Sequence, residues 1–295
     1  MNLFSILHST RRRPSDSGGS RKLVPAWEYQ TRGVVWRLLP APGGLLVGED
    51  RDNTSKSVSF FCLEEKTGNA RWKNVAFKES WWIGIEAIHK NIVFFHEFAR
   101  PDLPDHKKII AVELDSAREL WRNEELKFLY AHEDSVYASK ERFETSLVFE
   151  LDLLTGAVVR ELGNETGYIS VLRDTSTFKQ NDDIEFPRPL ATQNEFHKRV
   201  LRHIPSGKIC GEVEILEKDA HIVVGYYENT SPNPFERELD QHLKFLDAET
   251  GDLLFRDVLT QKAKEPVPDL FFLRGDFIIY IKNKNVLRAV KLSNS

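Results

Sequence analysis

The sequence predicts an all-β protein built from a repeated four-stranded unit, and three observations carry this prediction. Short runs of alternating apolar and polar residues, which are typical of half-buried strands, follow one another along most of the 295 residues. A turn motif recurs five times at a nearly constant spacing. The first predicted strand and the last three predicted strands together make up one four-stranded unit.

The spacing of the turn motif suits a propeller blade. An apolar run leads to a turn, usually through an acidic residue, and the strand that follows often ends in Trp. Asp at the entry of such a turn accepts backbone hydrogen bonds, and Gly supplies a positive φ. Neighbouring turns lie 39 to 51 residues apart, close to the roughly 40–50 residues of a four-stranded blade. The turn positions are Gly68, Ala117, Gly156, Gly207 (the weakest copy) and Gly251.

Two further apolar runs separate most of these turns, so each block holds four strands with the turn between the third and the fourth. The clearest of these runs are residues 82–88 and 91–96, 127–131 and 135–138, and 270–273 and 276–281.

The first and last segments complement each other. Trp27 lies 45 residues before Trp72, so residues 23–30 occupy the position of a fourth strand that has no third strand before it. The last block ends with its third strand, residues 285–292. We therefore predict a single propeller of six four-stranded blades over residues 23–295, closed by the N-terminal strand in the last blade. A solenoid of β-hairpins is the alternative, and it would need a cap at each end.

Composition and the N-terminus limit the kind of protein. Lys and Arg total 41 against 45 Asp and Glu, so a net charge of −4 gives no electrostatic case for binding nucleic acid or a membrane. No apolar stretch is long enough to predict a transmembrane helix. In residues 1–22 the arginines follow the apolar residues, the reverse of a secretory signal. We predict a disordered tail here and a cytoplasmic protein, with an envelope location as the alternative.

The turn motif resembles the repeat of quinoprotein-like (PQQ-type) propellers, in which Leu-Asp, Thr-Gly and Trp follow one another. Residues 66–72 and 247–251 carry this resemblance best, and it implies the propeller fold. The chain lacks the adjacent cysteines that quinone-dependent dehydrogenases have at their cofactor, so we expect no PQQ and no other cofactor. Residues 36–39, 61–63 and 81–84 also resemble a domain family of unknown function seen mainly in Bacteroidetes, which implies no activity.

The loops after the second strand of each blade gather at one face of a propeller, and we expect a site there. Carboxylates can bind a cation, paired tryptophans can stack on a sugar or a cation, and His beside carboxylates can move protons. Structural roles in ion pairs and blade packing are the alternative. The candidates are Glu49, Asp50, Arg51, Trp81, Trp82, His96, Glu97, Arg100 and Glu141.

No spacing matches a known metal motif, and Cys62 and Cys210 are too far apart for a zinc site or a disulfide framework, so no metal is predicted. Residues 174–198 could form a lid or be disordered. Residues 227–242 could form a helix packed on a blade or a partner-binding surface.

These observations favour a non-catalytic scaffold that binds a protein or a small molecule through the loop face, because no catalytic motif is present. The alternative is an enzyme at the mouth of the channel that acts on a sugar or a lactone with carboxylate and His chemistry, with or without a metal. The sequence leaves the ligand, the partner and any catalytic residues unassigned.

Overall fold

The computed structural model describes residues 22–100, 103–142, 145–164, 167, 184–193, 195–233, 236–266 and 271–292. Apart from Lys22, the predicted tail of residues 1–22 lies outside the described residues, as do residues 174–183 of the predicted lid. The described chain folds into five antiparallel sheets, which we number 1 to 5. No helix in the described ranges has the length and apolar character that a membrane crossing requires.

Sheets 1 to 3 are meanders of four strands, in which each strand pairs with the next one along the chain. They follow β1 (Pro25–Gln30), which belongs to sheet 5. Sheet 1 contains β2 (Val34–Ala41), β3 (Leu45–Asp52), β4 (Ser57–Glu64) and β5 (Ala70–Val75). Sheet 2 contains β6 (Ile83–His89), β7 (Ile92–Arg100), β8 (Leu103–Glu113) and β9 (Glu119–Asn123). Sheet 3 contains β10 (Lys127–His132), β11 (Ser135–Arg142), β12 (Thr145–Asp152) and β13 (Val158–Gly163).

Sheets 4 and 5 have five strands each. A segment with two short strands and a helix comes first: β14 (Ile184–Glu185), β15 (Arg188–Pro189) and α1 (His197–Leu201). Sheet 4 contains β15 followed by β16 (Ile209–Lys218), β17 (His221–Asn229), β18 (Leu239–Asp247) and β19 (Leu253–Ala263). Sheet 5 runs in the order β14, β20 (Phe271–Arg274), β21 (Phe277–Lys282), β22 (Val286–Lys291) and β1.

The N-terminal strand β1 is the last strand of sheet 5. It pairs antiparallel with β22, with Trp27 opposite Ala289 and Tyr29 opposite Leu287. The two ends of the chain therefore share one sheet, and β22 has a hydrogen-bonded neighbour on both sides.

Consecutive sheets pack face to face in the order 4, 5, 1, 2, 3. Each of the four contacts between neighbours is an apolar core to which both sheets contribute. Phe60 of sheet 1 meets Phe95 of sheet 2 with ring centroids 4.6 Å apart, and Phe94 of sheet 2 meets Phe128 of sheet 3 at 5.0 Å. Such stacking of meanders is the construction of propeller blades, and the predicted all-β class is confirmed.

The repeated Trp joins sheets 5, 1 and 2 each to the turn of the next sheet. Trp27 donates its indole N–H to the carbonyl of Glu65 at 2.7 Å, and a Cβ placed on Gly68 would lie 2.6 Å from the Trp27 ring. Trp121 donates in the same way to Leu153 at 2.9 Å, and Gly156 faces its ring. The Gly in the turn motif thus supplies both a positive φ and the space for an indole.

The same hydrogen bond from an indole N–H to a turn carbonyl, which we call a Trp latch, joins sheets 1 and 2. Here Trp72 donates to the carbonyl of Leu114 at 2.7 Å. Here the turn position is occupied by Ala117, which adopts a φ of 58° and packs against the core between the two sheets. Ala therefore replaces Gly in this turn and keeps the left-handed backbone.

The described residues contain five sheets, whereas the sequence predicts six blades. The fourth turn motif predicts a strand that enters a turn at Gly207, but residues 197–201 form the helix α1. The physical reason is the four-residue spacing of Phe196, Val200 and Ile204, which places all three against the outer face of sheet 4. The predicted helix in residues 227–242 is also absent from the described part, because β17 and β18 extend into that range.

Candidate functional site

Three potential metal ligands converge in sheet 2. The Nδ1 atoms of His96 and His106 lie 2.8 and 2.7 Å from the same carboxylate oxygen of Glu86. The two imidazole rings are stacked, with centroids 3.5 Å apart and planes 8° from parallel. One donor atom from each residue lies within 4.8 Å of the other two. We call these residues the His–Glu cluster.

Strand irregularities bring the three side chains together. The register between β6 and β7 shifts between Ile85 and Ala87, so Glu86 lies in a bulge. The register between β7 and β8 shifts between Phe95 and Glu97, at His96. A bulge turns a side chain away from the face that simple alternation would give it. His106 reaches the same place from β8, where it pairs with Phe98.

His96 is the most buried member of the cluster, with 3% of its surface exposed. Although its Nδ1 is close to Glu86, neither of its ring nitrogens forms an aligned hydrogen bond within the described structure. Buried polar atoms without such a bond are rare in folded proteins and call for an explanation. One such explanation is an ion that the buried nitrogen coordinates.

Gly84 provides the space beside His96. A Cβ on Gly84 would lie 3.1 Å from Oε1 of Glu49 and 3.4 Å from Nε2 of His96. Glu49 of β3 therefore reaches the edge of the His–Glu cluster from sheet 1. Its Oε1 accepts the backbone N–H of Ile85 at 2.6 Å, so this carboxylate also fixes the inner strand of sheet 2.

The cluster combines an anion with imidazoles. Burial would raise the pKa of Glu86, but its contacts with His96 and His106 outweigh burial and hold that pKa below its usual value. Burial lowers the pKa of His106, and a positive charge on His96 lowers it further. At neutral pH Glu86 is thus ionised and His106 is neutral, which are the protonation states in which both residues bind metals.

Aromatic rings connect the cluster to the surface. Phe98 meets His96 and His106 edge to face, with centroid distances of 5.0 and 5.3 Å. Trp82 packs against Phe98 at 6.2 Å and exposes 37% of its surface. Trp82 and Phe98 thus form an aromatic rim beside the cluster, where an apolar or planar group could stack.

Glu49, Arg51 and Trp81, all predicted site residues, meet at the contact between sheets 1 and 2. Arg51 forms an ion pair with Glu49 at 3.0 Å and donates to the carbonyls of Trp81 and Ile83 at 2.9 and 2.5 Å. Its guanidinium also lies 5.4 Å from the Trp81 ring centroid. These groups use their hydrogen-bonding capacity within the protein, and they position β6.

The structure separates some of the other predicted residues from the cluster. Asp50 accepts the backbone N–H groups of Arg32 and Gly33 at 3.0 and 2.7 Å, which fixes the turn before β2. Glu97 pairs with Lys108 at 3.0 Å. Glu141 is exposed in β11 of sheet 3. Arg100 ends β7, and its side chain lies outside the described residues.

Sequence reasoning missed Glu86 and did not assign a ligand role to His106. His106 lies ten residues after His96, which ends the predicted strand of residues 91–96. In the structure β7 continues past His96 and pairs with β8, so the hairpin returns His106 to His96. Glu86 carries no sequence signal, because a carboxylate in a strand normally faces solvent and only the bulge directs it inward.

The fold and the His–Glu cluster define an all-β, propeller-type protein with a candidate metal-binding site. Residues 41–121, which include β3 to β8 and the whole cluster, match the family described as Domain of unknown function (DUF4905). No curated protein matches the chain.

Among solved structures, the chain is similar to the β-propeller domain of the Trilobed protease from Pyrococcus furiosus, which is described as having an open velcro topology. The two chains are 10% identical with a TM-score of 0.30, and the match covers 88% of this chain and 71% of the other. At this level of similarity the comparison supports no statement about activity.

Proposed function

We propose that this protein is a binding propeller that holds a zinc ion at the His–Glu cluster and presents it to a ligand at the aromatic rim of Trp82 and Phe98. The observation that carries the proposal is the convergence of Glu86, His96 and His106 around the buried and poorly hydrogen-bonded imidazole of His96.

The chemistry of the three side chains suits zinc. Two imidazoles and one carboxylate form a recurrent zinc-ligand set, with bonds of roughly 2.0–2.2 Å and tetrahedral geometry. Tetrahedral donors at such bond lengths are roughly 3.3 Å apart, so the present separations of up to 4.8 Å need only a small side-chain adjustment. Binding requires the stacked His rings to rotate, because one ion cannot lie in two parallel ring planes at once.

The metal content of the protein tests this proposal. We expect the purified protein to bind one Zn²⁺ per chain, measured by inductively coupled plasma mass spectrometry and by calorimetric titration of the metal-free protein. His106→Ala and Glu86→Gln each remove one ligand, so we expect an affinity at least about tenfold lower, as for the loss of a metal contact.

His132→Ala in sheet 3 is the matched control, because His132 is also half-buried but lies outside the cluster. Its affinity should equal that of the wild type. A wild-type protein that takes up no zinc, or a His106→Ala variant that binds as tightly as the control, would overturn the proposal. Selective uptake of Fe²⁺ would keep the site and change the ion, since two His and one carboxylate also bind iron.

A metal-assisted hydrolase acting on a sugar or a lactone is the second candidate function. One observation favours it: the cluster supplies three ligands, and zinc sites with three protein ligands leave a fourth position open for water or substrate. Hydrolysis of a lactone panel by the zinc-loaded protein, abolished in Glu86→Gln but not in His132→Ala, would support this candidate. If the zinc-loaded protein hydrolyses none of these lactones, the hydrolase candidate is rejected and only the binding function remains.

We also propose that residues 23–295 form a single domain in which five sheets, rather than six, make up the ring. Residues 164–183 are 20 residues, about half of what a four-stranded blade requires. The segment from β14 to α1 already contributes to sheets 4 and 5. In this arrangement the outer face of sheet 3, with Tyr137 and Val148, turns toward the α1 side of sheet 4.

A further inference from the structure

A second polar site lies in sheet 4. A cavity of about 710 Å³ is lined by β17, β18 and β19, by residues 202–205 after α1, and by Lys282 of sheet 5. Pockets for small organic ligands measure roughly 300–1,000 Å³. The cavity therefore has the size of a small-molecule site.

The wall of the cavity is fixed to the sheet. His203 lies with its Nε2 2.7 Å from the carbonyl of Gly251, in the turn between β18 and β19. Lys244 of β18 donates to the carbonyl of His203, and Arg199 of α1 donates to the carbonyl of Ala248. The segment after α1 is thus held by side chains at three points, and the cavity has a preorganised shape.

Basic groups dominate the cavity. Its charged lining comprises Arg202, Lys244, Arg256 and Lys282 against Glu228 and Asp257. Asp257 is committed to sheet 5, where Lys282 and Tyr280 donate to it at 2.7 and 2.9 Å. Within the described ranges, no carboxylate forms an ion pair with any of the other three cations of the lining.

Lys244 is one of the cations of this lining. It is half-buried, and its Nζ lies 5.2 Å from the centroid of the Tyr226 ring. Burial lowers the pKa of Lys244 and the positive charge of Arg256 lowers it further, while the negative charge of Glu228 only partly opposes these effects. A bound anion would relieve this repulsion, because like charges in a partly desolvated site interact strongly.

The cavity also offers a surface for an organic group. Tyr226 and His242 stack with centroids 5.0 Å apart and planes 20° from parallel. Ile204, Pro205 and Val258 add apolar lining. Arg side chains grip phosphate oxygens in pairs, and a lysine adds a point charge.

We propose that this cavity binds a small phosphate monoester, whose phosphate contacts Lys244, Arg256 and Arg202 and whose organic group lies against Tyr226, His242 and the apolar lining. This site is separate from the His–Glu cluster, and the proposal does not depend on zinc binding.

Calorimetric titration with four small probes tests the proposal. We expect phenyl phosphate to bind at one site per chain, and inorganic phosphate to bind at least about tenfold more weakly because it lacks the organic group. Benzoate, which has the ring but a single charge, should also bind at least about tenfold more weakly than phenyl phosphate. Glycerol should not bind.

Two variants and a matched control locate the site. Lys244→Met and Arg256→Gln should each weaken phenyl phosphate binding at least about tenfold. Lys73→Met, at an exposed lysine of sheet 1, should bind like the wild type. A nuclear magnetic resonance titration should shift the imidazole signals of His203 and His242 but not those of His96 and His106.

Four results would overturn the proposal: no binding of phenyl phosphate by the wild type, equal binding by Lys244→Met and the Lys73→Met control, or an affinity for phenyl phosphate that is equalled by benzoate or by inorganic phosphate. Circular dichroism of each variant separates loss of the site from loss of the fold. If inorganic phosphate bound as tightly as phenyl phosphate, the organic group would contribute nothing to binding, which contradicts the proposal.

Discussion

Single buried polar side chains add to the apolar contacts between neighbouring sheets. Asp257 of sheet 4 is 8% exposed and accepts hydrogen bonds from Tyr280 and Lys282 of sheet 5, as well as from Arg288. Burial would raise the pKa of Asp257, but the hydrogen bonds from Lys282 and Tyr280 and the charge of Arg288 hold it below its usual value. The ionised carboxylate therefore stabilises the fold.

Asp257→Asn should lower the free energy of unfolding by about 1–3 kcal/mol at pH 7, because it removes the anion that Lys282 and Arg288 share, although Arg288 keeps its ion pair with Glu28. The pKa of Asp257 is lower in the folded state, so its stabilisation is present above the usual carboxyl value of 3.8. It is lost as the pH falls through the folded pKa. Urea unfolding between pH 2.5 and 7 measures the difference.

Asp252→Asn, at an exposed carboxylate in the turn before β19, is the control and should cost less than about 0.5 kcal/mol. A difference between Asp257→Asn and the wild type that persists unchanged at pH 2.5 would contradict the electrostatic explanation.

Some residues of the sheet contacts and of the candidate site could be predicted from the sequence, and others could not. The Trp latches were visible as a spacing, because Trp27, Trp72 and Trp121 recur with the turn motif. The structure places both Trp82 and His96 against Phe98, whereas Trp81 packs against the core between sheets 1 and 2. Glu86 could not be found, because the bulge that directs it inward depends on the pairing of two strands rather than on local composition.

At the scale of elements, each Trp latch couples one sheet to the carbonyl groups of the next turn. The indole N–H of Trp121 is buried, and its acceptor is the carbonyl of Leu153 in sheet 3. Loss of this donor leaves the buried carbonyl without that partner. The resulting loss of stability is larger than the net stabilisation by an average hydrogen bond, because the buried carbonyl remains desolvated.

Trp121→Phe retains an aromatic ring and removes the donor, so we expect a loss of about 1–3 kcal/mol in the free energy of unfolding. Trp36→Phe is the matched control, because Trp36 is 69% exposed, and it should change stability by less than about 0.5 kcal/mol. Chemical denaturation followed by circular dichroism compares the two. Equal effects of both substitutions would show that the latch contributes no more than a surface indole.

The repeat predicted most elements because strand alternation and turn chemistry are local properties. It failed at α1 because Ser-Gly in residues 206–207 imitates the turn motif, whereas the tertiary contact of Val200 with sheet 4 decides in favour of a helix. The sixth blade that the sequence predicts is not among the five sheets of the described residues.

At the scale of the whole molecule, the first and the last described strands, β1 and β22, pair with each other. β1 supplies the outer strand of sheet 5, and Trp27 reaches from it into the turn of sheet 1. This part of the fold was predicted from the complementary ends of the sequence, because a three-stranded last block calls for a strand from elsewhere.

Removal of residues 22–30 should lower the melting temperature by more than about 10 °C relative to a chain that begins at residue 22, because it removes the burial of Trp27 and one edge of β22. Differential scanning calorimetry measures this change. Addition of a peptide of residues 22–31 should restore part of the loss. An unchanged melting temperature would mean that β1 contributes little to the fold.

The segment of residues 184–189 has a consequence for how this protein behaves beside other copies of itself. β14 covers β20 and β15 covers β16, so one short stretch of chain occupies the free sides of two different sheets. Without it, the first strands of sheets 4 and 5 would each have an unpaired edge, and unpaired strand edges can pair with strands of other molecules. A proteolytic cut in this stretch should therefore increase the tendency of the protein to aggregate through the edges of β16 and β20.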